Sequence, residues 1–174
     1  MEDLIVLVAT NKEYRMPSDT VYRPIQAGSH SDTFDGFLQD HTGDNIADRN
    51  RRLCELTAAY WAWKNLKCRY IGLTHYRRHF TDKTLLQRIG KDKFDCIAAG
   101  RSLEKELEKD VVIVPNKRRY CIETMESHFL HLPYTFEKDF RVLRQVIGEL
   151  SPAYLDSYDE VMNRTWGTCS ICLS

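Results

Sequence analysis

Two arginines and two histidines stand together in the segment HYRRH at residues 75–79. They follow residues 70–74 (YIGLT), whose apolar run predicts a buried strand. Paired guanidinium groups bind phosphate through bidentate, charge-assisted bonds. Such cations would stabilise the charge that develops on a diphosphate leaving group. A solvated basic turn is the alternative, but rings interleaved with arginine favour a phosphate site built from Tyr76, Arg77 and Arg78.

Polar residues also follow two other predicted strands. Thr10, Asn11 and Lys12 come after residues 4–9, and Lys117 and Arg118 come after residues 110–115. Open α/β sheets bind ligands at the carboxyl ends of their parallel strands. We therefore expect the basic segments to converge on one anionic ligand. For residues 10–12, a polar loop without a ligand-binding role is an equally good interpretation.

Three residues are candidates for a catalytic role. Asp44 lies just before a predicted helix, and Glu55 lies on that helix, where an acid is costly to bury unless it is paired. Either carboxylate can act as general base toward an acceptor hydroxyl, and the sequence does not rank them. His75, which opens the basic segment, is the third candidate.

Strands that alternate with helices predict an α/β fold with an open, mostly parallel sheet flanked by helices. Residues 15–45 lack a regular pattern, and residues 82–109 are charged and helical in pattern, without chemistry that can be read from the sequence. The predicted strands are residues 4–9, 70–74 and 110–115, and the predicted helices are residues 48–65 (capped by Asp48), 122–132, 136–150 and 151–164.

Composition and missing motifs exclude several classes of protein. The 174 residues carry 25 basic and 25 acidic side chains, so the zero net charge disfavours nucleic acid as a partner. The sequence has no glycine-rich dinucleotide motif, no P-loop and no G-x-S-x-G. The six cysteines include one C-x-x-C pair, Cys169 and Cys172, which no second pair completes as a zinc site.

The N-terminal apolar run is too short for a signal peptide, and no run is long enough to span a membrane. The cysteine pattern fits a reducing compartment. We therefore expect a cytoplasmic protein. If it works at a membrane, we expect it to associate peripherally with the inner face of the plasma membrane.

Five segments together resemble a bacterial family of exopolysaccharide and capsule biosynthesis proteins, formerly a domain of unknown function. The resemblance extends over residues 4–167, and ELTAAYWAWKN and HYRR are its specific parts. The segments are VATNK (8–12), PIQAG (24–28), TGDNI (42–46), CELTAAYWAWKN (54–65) and IGLTHYRR (71–78).

This resemblance implies a GT-A-like (Rossmann-like) fold and a glycosyltransferase activity, since some members are assigned as galactosyl- or galactofuranosyltransferases. It implies a nucleotide-sugar donor, a UDP-sugar above all, and a lipid-linked or oligosaccharide acceptor. Residues 10–12 would border the nucleotide, and residues 75–78 would lie where other GT-A enzymes carry the Asp-x-Asp that binds Mn²⁺ or Mg²⁺. Because this chain has cations there, we expect a metal-independent mechanism, with Mn²⁺ or Mg²⁺ as the alternative cofactor. The alternatives are a non-catalytic module that binds a nucleotide sugar or a partner, and an inactive truncated remnant.

The chain departs from the family pattern after Gly167. The family continues with HMFNMFI, whereas residues 168–174 read TCSICLS. TCSICLS can be encoded by the codons ACA TGT TCA ATA TGT TTA TCA. When the same bases are read from the third base onward, they encode MFNMFI, which is the family's own continuation after its histidine. We therefore expect a glycosyltransferase domain portion at residues 1–167, an out-of-frame tail at residues 168–174, and a fold that lacks its C-terminal part.

Overall fold

The computed structural model describes residues 3–28, 32–109, 111–133 and 135–167, with the side chain of Arg118 excepted. The predicted out-of-frame tail, with its C-x-x-C pair, lies outside the described residues. The chain divides into two compact units, Met1–Ile113 and Val114–Ser174, each of which is described by itself. Among the described helices, none combines the length and the apolar character that a bilayer crossing requires.

The first unit is built on a parallel sheet of four strands: β1 (Leu4–Thr10), β2 (Tyr22–Gln26), β3 (Leu38–Gln39) and β4 (Tyr70–His75). Their order is β3-β2-β1-β4, and every pair is parallel. This confirms the predicted open, parallel sheet. Strands β2 and β3 lie within the segment predicted to be irregular, and that prediction is wrong. Charged Arg23 and Pro24 interrupt the apolar pattern of β2, so its sequence does not indicate a strand.

Strand β1 is buried at all seven positions because helices cover both faces of the sheet. Helix α2 (Leu56–Asn65) packs on one face and helix α4 (Gly100–Leu107) on the other. Successive side chains of a strand point to opposite faces, so alternate residues of β1 pack into the two cores. The first core contains Ile5, Leu7, Ala9, Ile25, Ala58, Trp61 and Ala62, and the second contains Leu4, Val6, Val8, Tyr22, Ala98 and Leu103.

The predicted helix at residues 48–65 is broken into three pieces. A 3-10 turn at Ala47–Arg49 leads into helix α1 (Asn50–Leu53), and α2 begins after a break at Cys54. Cys54 has φ of 46°, in the left-handed region that is uncommon for a residue other than glycine. Asp48 lies inside the 3-10 turn and no side-chain bond caps that turn, so its predicted role as helix cap is wrong.

The region at residues 82–109 contains helix α3 (Leu85–Arg88), a 3-10 turn at Lys93–Cys96, and α4. The predicted third buried strand is absent from residues 111–115, where Val112 is 85% exposed. A run of valine and isoleucine has strand propensity, but propensity alone does not supply a partner strand.

The second unit is mainly helical and confirms the three helices predicted there: α5 (Met125–Leu130), α6 (Glu137–Leu150) and α7 (Leu155–Asn163). Arg144 of α6 donates two hydrogen bonds, of 2.8 and 2.7 Å, to the carboxylate of Asp159 on α7. Strands β5 (Arg118–Arg119) and β6 (Trp166–Gly167) pair antiparallel.

Candidate functional site

The ends of β1 and β4 bring two of the predicted segments side by side. Ala9 and His75 are partners in the parallel register, and the N–H of Tyr76 donates to the carbonyl of Ala9 at 3.1 Å. Thr10 to Lys12 and His75 to Arg78 therefore leave the sheet at the same edge, where open α/β sheets bind ligands.

A tight turn presents the two arginines. The N–H of Arg78 donates to the carbonyl of His75 at 2.8 Å, which closes the turn. Tyr76 is buried and anchors the turn in the core, whereas Arg77 and Arg78 are exposed. Neither arginine forms an ion pair within the described part of the chain. Both guanidinium groups are therefore available to an anionic ligand.

The loop after β1 adds a third cation to the same place. The hydroxyl of Thr10 donates to the carbonyl of Lys12 at 2.6 Å and accepts its N–H at 3.2 Å, so Thr10 shapes the loop. Asn11 and Lys12 are exposed. The Nζ of Lys12 lies 5.3 Å from the centroid of the Tyr76 ring, and the guanidinium of Arg77 lies 5.4 Å from it.

We call His75–Arg78 the arginine turn. A cavity of about 350 Å³ adjoins it. Among the described residues, five cations and no carboxylate line it: Arg77, Arg78, Arg88, Lys91 and Lys93. The last three fall in the segment in which the sequence indicated no chemistry, since Asp82 and Asp92 mask their charge along the chain. The feature of the sequence that could have indicated this cavity is the basic character of residues 88–93, which follow the leucines of α3. The side chain of Lys93 donates to the hydroxyl of Tyr14 at 2.9 Å, and this hydrogen bond lowers the pKa of Tyr14.

Glu55 and His75 form a pair at this edge of the sheet. The Nε2 of His75 lies 3.5 Å from Oε1 of Glu55, and both side chains are about four-fifths buried. The Nδ1 of His75 accepts the N–H of Arg77 at 3.2 Å, which assigns the ring proton to Nε2. Burial lowers the pKa of His75 below 6.5, Glu55 opposes this shift, and the two arginines add to it. The lowered pKa favours the neutral imidazole, whose Nε2 lies in contact with the carboxylate.

A buried network holds the turn that carries Glu55. The side chain of Asn50 donates to the carbonyl of Cys54 and to the hydroxyl of Thr57, at 2.9 Å each. These bonds fix the left-handed conformation of Cys54, from which Glu55 points toward β4.

Asp40 completes this network from the end of β3. It is fully buried, and its carboxylate accepts the hydroxyl of Thr57 at 2.6 Å and the N–H of Gly28 at 2.8 Å. Asp40, Asn50 and Thr57 were not among the predicted site residues, because Asp40 meets Thr57 and Gly28 across 17 and 12 positions of the chain, beyond any local pattern.

Asp44 lies away from this cluster. Its carboxylate accepts the hydroxyl of Tyr60 at 3.2 Å, and its carbonyl accepts the side-chain amide of Asn65, the last residue of α2. Glu55 precedes the first residue of α2, and a helix of ten residues spans about 15 Å. The structure therefore brings Glu55, but not Asp44, to His75.

Lys117 and Arg118 belong to the second unit. The Nζ of Lys117 lies 3.7 Å from the centroid of the Trp166 ring, and Arg118 pairs with Gly167. The side chain of Arg118 lies outside the described residues. The expectation that these residues end a strand of the parallel sheet is wrong, because β5 belongs to the antiparallel pair.

The donor set at the arginine turn does not fit a divalent cation. Within the described ranges, no three His, Cys, Asp or Glu side chains come together as metal ligands. The turn supplies guanidinium groups and Lys12, which would repel Mn²⁺ or Mg²⁺, in place of the oxygen ligands that these ions prefer.

Known proteins resemble this chain in two ways: one solved structure shares its fold, and one family model matches its sequence. No curated protein matches the chain. The solved structure titled "WbbM bifunctional glycosyltransferase apo structure" matches with a TM-score of 0.77 and 23% sequence identity. The match covers 95% of this chain but 32% of the other, so this chain spans about a third of that protein's length. Residues 5–171 match the family described as a domain of unknown function, DUF4422. The chain therefore belongs to the DUF4422 family.

Proposed function

We propose that this chain is the donor-binding part of a glycosyltransferase, which moves a sugar from a nucleotide-sugar donor to a growing glycan. The observation that carries the proposal is the turn in which Arg77 and Arg78 lie exposed, unpaired within the described residues, at the carboxyl edge of the sheet. The fold that it shares with a structure named as a glycosyltransferase supports the same proposal.

The two arginines would bind the diphosphate of the donor. When the bond between the anomeric carbon and the diphosphate oxygen breaks, its electron pair stays on that oxygen, and fixed guanidinium groups stabilise the charge. Lys12 adds a cation, and Tyr76 holds Lys12 and Arg77 near one ring. These groups do the electrostatic work that a divalent ion does in other enzymes, so we propose a metal-independent mechanism.

Glu55 would act as general base. As an acceptor hydroxyl attacks the anomeric carbon, the Glu55 carboxylate takes its proton. His75, whose lowered pKa favours the neutral ring, lies 3.5 Å from Glu55 and would act as a positioning residue. The Oε2 atom of Glu55 is buried and has no hydrogen-bond partner within the described residues. The protein therefore supplies no donor to this oxygen, which is the one left to take the proton of a bound acceptor.

We propose a UDP-sugar as donor, with galactose or galactofuranose as the first sugars to test, and an exopolysaccharide or capsule glycan as product. The acceptor would be lipid-linked or an oligosaccharide. We place the reaction in the cytoplasm, because Cys54, Cys96 and Cys121 are free thiols, as a reducing compartment allows.

The test is release of UDP from a panel of UDP-sugars, with and without oligosaccharide acceptors. Release that depends on Arg77 and Arg78 supports the proposal. A folded chain that binds a UDP-sugar without releasing UDP would instead be a non-catalytic binding module. A folded chain that neither binds nor turns over any donor of the panel contradicts the proposal.

A further inference from the structure

Three large apolar side chains project from helix α3 and the residue that follows it. Leu85, Leu86 and Ile89 are 77%, 82% and 73% exposed. Leu85 and Leu86 stand four and three residues before Ile89, the spacings at which helical residues are neighbours, so the three lie on one side of the segment. A single exposed leucine is ordinary, but three within five residues form an apolar patch that marks an interaction site. We call Leu85, Leu86 and Ile89 the α3 patch.

The helix that carries the α3 patch is held in shape by its own cap. The hydroxyl of Thr84 accepts the N–H of Gln87, and the side chain of Gln87 accepts the N–H of Thr84 at 2.9 Å. This reciprocal capping box satisfies two N–H groups at the start of the helix. The patch is therefore presented on a formed turn.

Cations surround the α3 patch. Arg88 of the same helix, together with Lys91 and Lys93, lines the cavity that the arginine turn also borders. No carboxylate lines this cavity, and neither Arg88 nor Lys91 forms an ion pair within the described part of the chain. Asp92 lies between Lys91 and Lys93 in the chain, but its carboxylate pairs with Arg15 at 3.4 Å and does not line the cavity.

We infer that the α3 patch and its cations form a docking surface for an anionic phospholipid bilayer. Leu85, Leu86 and Ile89 would enter the boundary between headgroups and acyl chains, while Arg88 and Lys91 bind lipid phosphates. Apolar side chains bordered by lysine and arginine are the composition of segments that lie in the membrane interface. Charge complementarity selects anionic lipid, because the cavity offers cations alone as charged groups. This inference does not depend on the reaction proposed above.

The experiment measures binding of the chain to phosphatidylcholine vesicles with and without phosphatidylglycerol. We expect strong binding only with phosphatidylglycerol, and weaker binding as salt is raised. Arg88→Gln with Lys91→Gln should weaken binding about 25-fold, since each cation near an anionic surface contributes roughly a factor of five. Serine at Leu85, Leu86 and Ile89 should weaken binding more than about tenfold.

Matched control variants separate this surface from general effects of charge and apolar area. Arg101→Gln with Lys105→Gln removes two exposed cations of α4, and Ile122→Ser with Leu150→Ser removes two exposed apolar side chains of the second unit. Both controls should bind vesicles as the parent chain does. Circular dichroism checks that every variant is folded.

Two results would overturn the inference. One is a folded chain that does not bind vesicles containing phosphatidylglycerol, or control variants that lose as much binding as the α3 variants. The other is self-association of the parent chain that the serine variant abolishes, without vesicle binding, because the patch would then be an interface between copies of the chain.

Discussion

The Nε2 atom of His75 lies 3.5 Å from Oε1 of Glu55, at the carboxyl end of β4. The two residues are 20 positions apart in the chain, and the break at Cys54 and the parallel pairing of β4 with β1 bring them together. A carboxylate in contact with an imidazole, beside guanidinium groups that form no ion pair within the described residues, is an arrangement suited to removing a proton from a hydroxyl near a diphosphate.

Glu55→Gln should lower kcat for sugar transfer by about 10²–10⁴, because the amide cannot accept the acceptor proton. The Kd for the donor should change little, since Glu55 does not bind the diphosphate in this account. Steady-state kinetics and calorimetry measure the two quantities. An unchanged kcat in the folded variant would remove Glu55 from the reaction.

Asp40→Ala should destabilise the fold by about 3 kcal/mol, because it leaves the buried N–H of Gly28 and hydroxyl of Thr57 without their acceptor. Urea unfolding followed by circular dichroism measures the free energy of unfolding. Asp35→Ala removes an exposed carboxylate and serves as the control, with an expected change within about 0.5 kcal/mol. Equal effects of the two substitutions would show that Asp40 does not organise the turn.

Burial lowers the pKa of His79 below 6.5, against a smaller opposite effect of the Tyr76 backbone. Neither ring nitrogen of His79 makes a hydrogen bond of ordinary geometry within the described residues. The unfolded chain therefore binds a proton at this residue more readily than the folded chain does.

It follows that the free energy of unfolding should decrease as the pH falls below about 6.5, the value of the unfolded chain, toward the lowered pKa of His79. His79→Gln cannot take up that proton, so its decrease should be shallower than that of the parent chain. Urea unfolding at a series of pH values compares the two slopes. Parallel slopes would contradict the buried, neutral state of His79.

Sugar transfer should survive chelation. The arginine turn supplies the positive charge, and the described residues offer no cluster of metal ligands. Excess EDTA should therefore leave the rate of UDP release unchanged, and added Mn²⁺ should not raise it. Activity that disappears with EDTA and returns with Mn²⁺ would contradict the metal-independent mechanism.

Local patterns predicted those parts of the fold whose partners follow from periodicity. The apolar run of β1 requires cover on both faces, and α2 and α4 supply it. The same reasoning placed residues 10–12 and 75–78 at one edge, because the carboxyl ends of parallel strands meet there.

Other parts depend on contacts that no local pattern reveals. Strand β2 contains Arg23 and Pro24 and forms because β1 and β3 pair with it on both sides. The break at Cys54 depends on hydrogen bonds from Asn50, which stands within the apparent helix. Residues 111–115 have the composition of a strand but lack a partner strand. The sequence therefore indicated Glu55 as a candidate site residue, but not the hydrogen bonds of Asn50 that hold the turn before it.

The most direct test of the central claim is calorimetry of UDP-galactose and UDP with the parent chain and with Arg77→Ala plus Arg78→Ala. Arg101→Ala with Lys105→Ala, on α4, is the matched control for the loss of two cations. We expect the parent chain and the control to bind the ligands alike, and the arginine-turn variant to lose at least about 100-fold in affinity. Equal affinity of the folded arginine-turn variant and the parent chain would show that Arg77 and Arg78 do not bind the diphosphate.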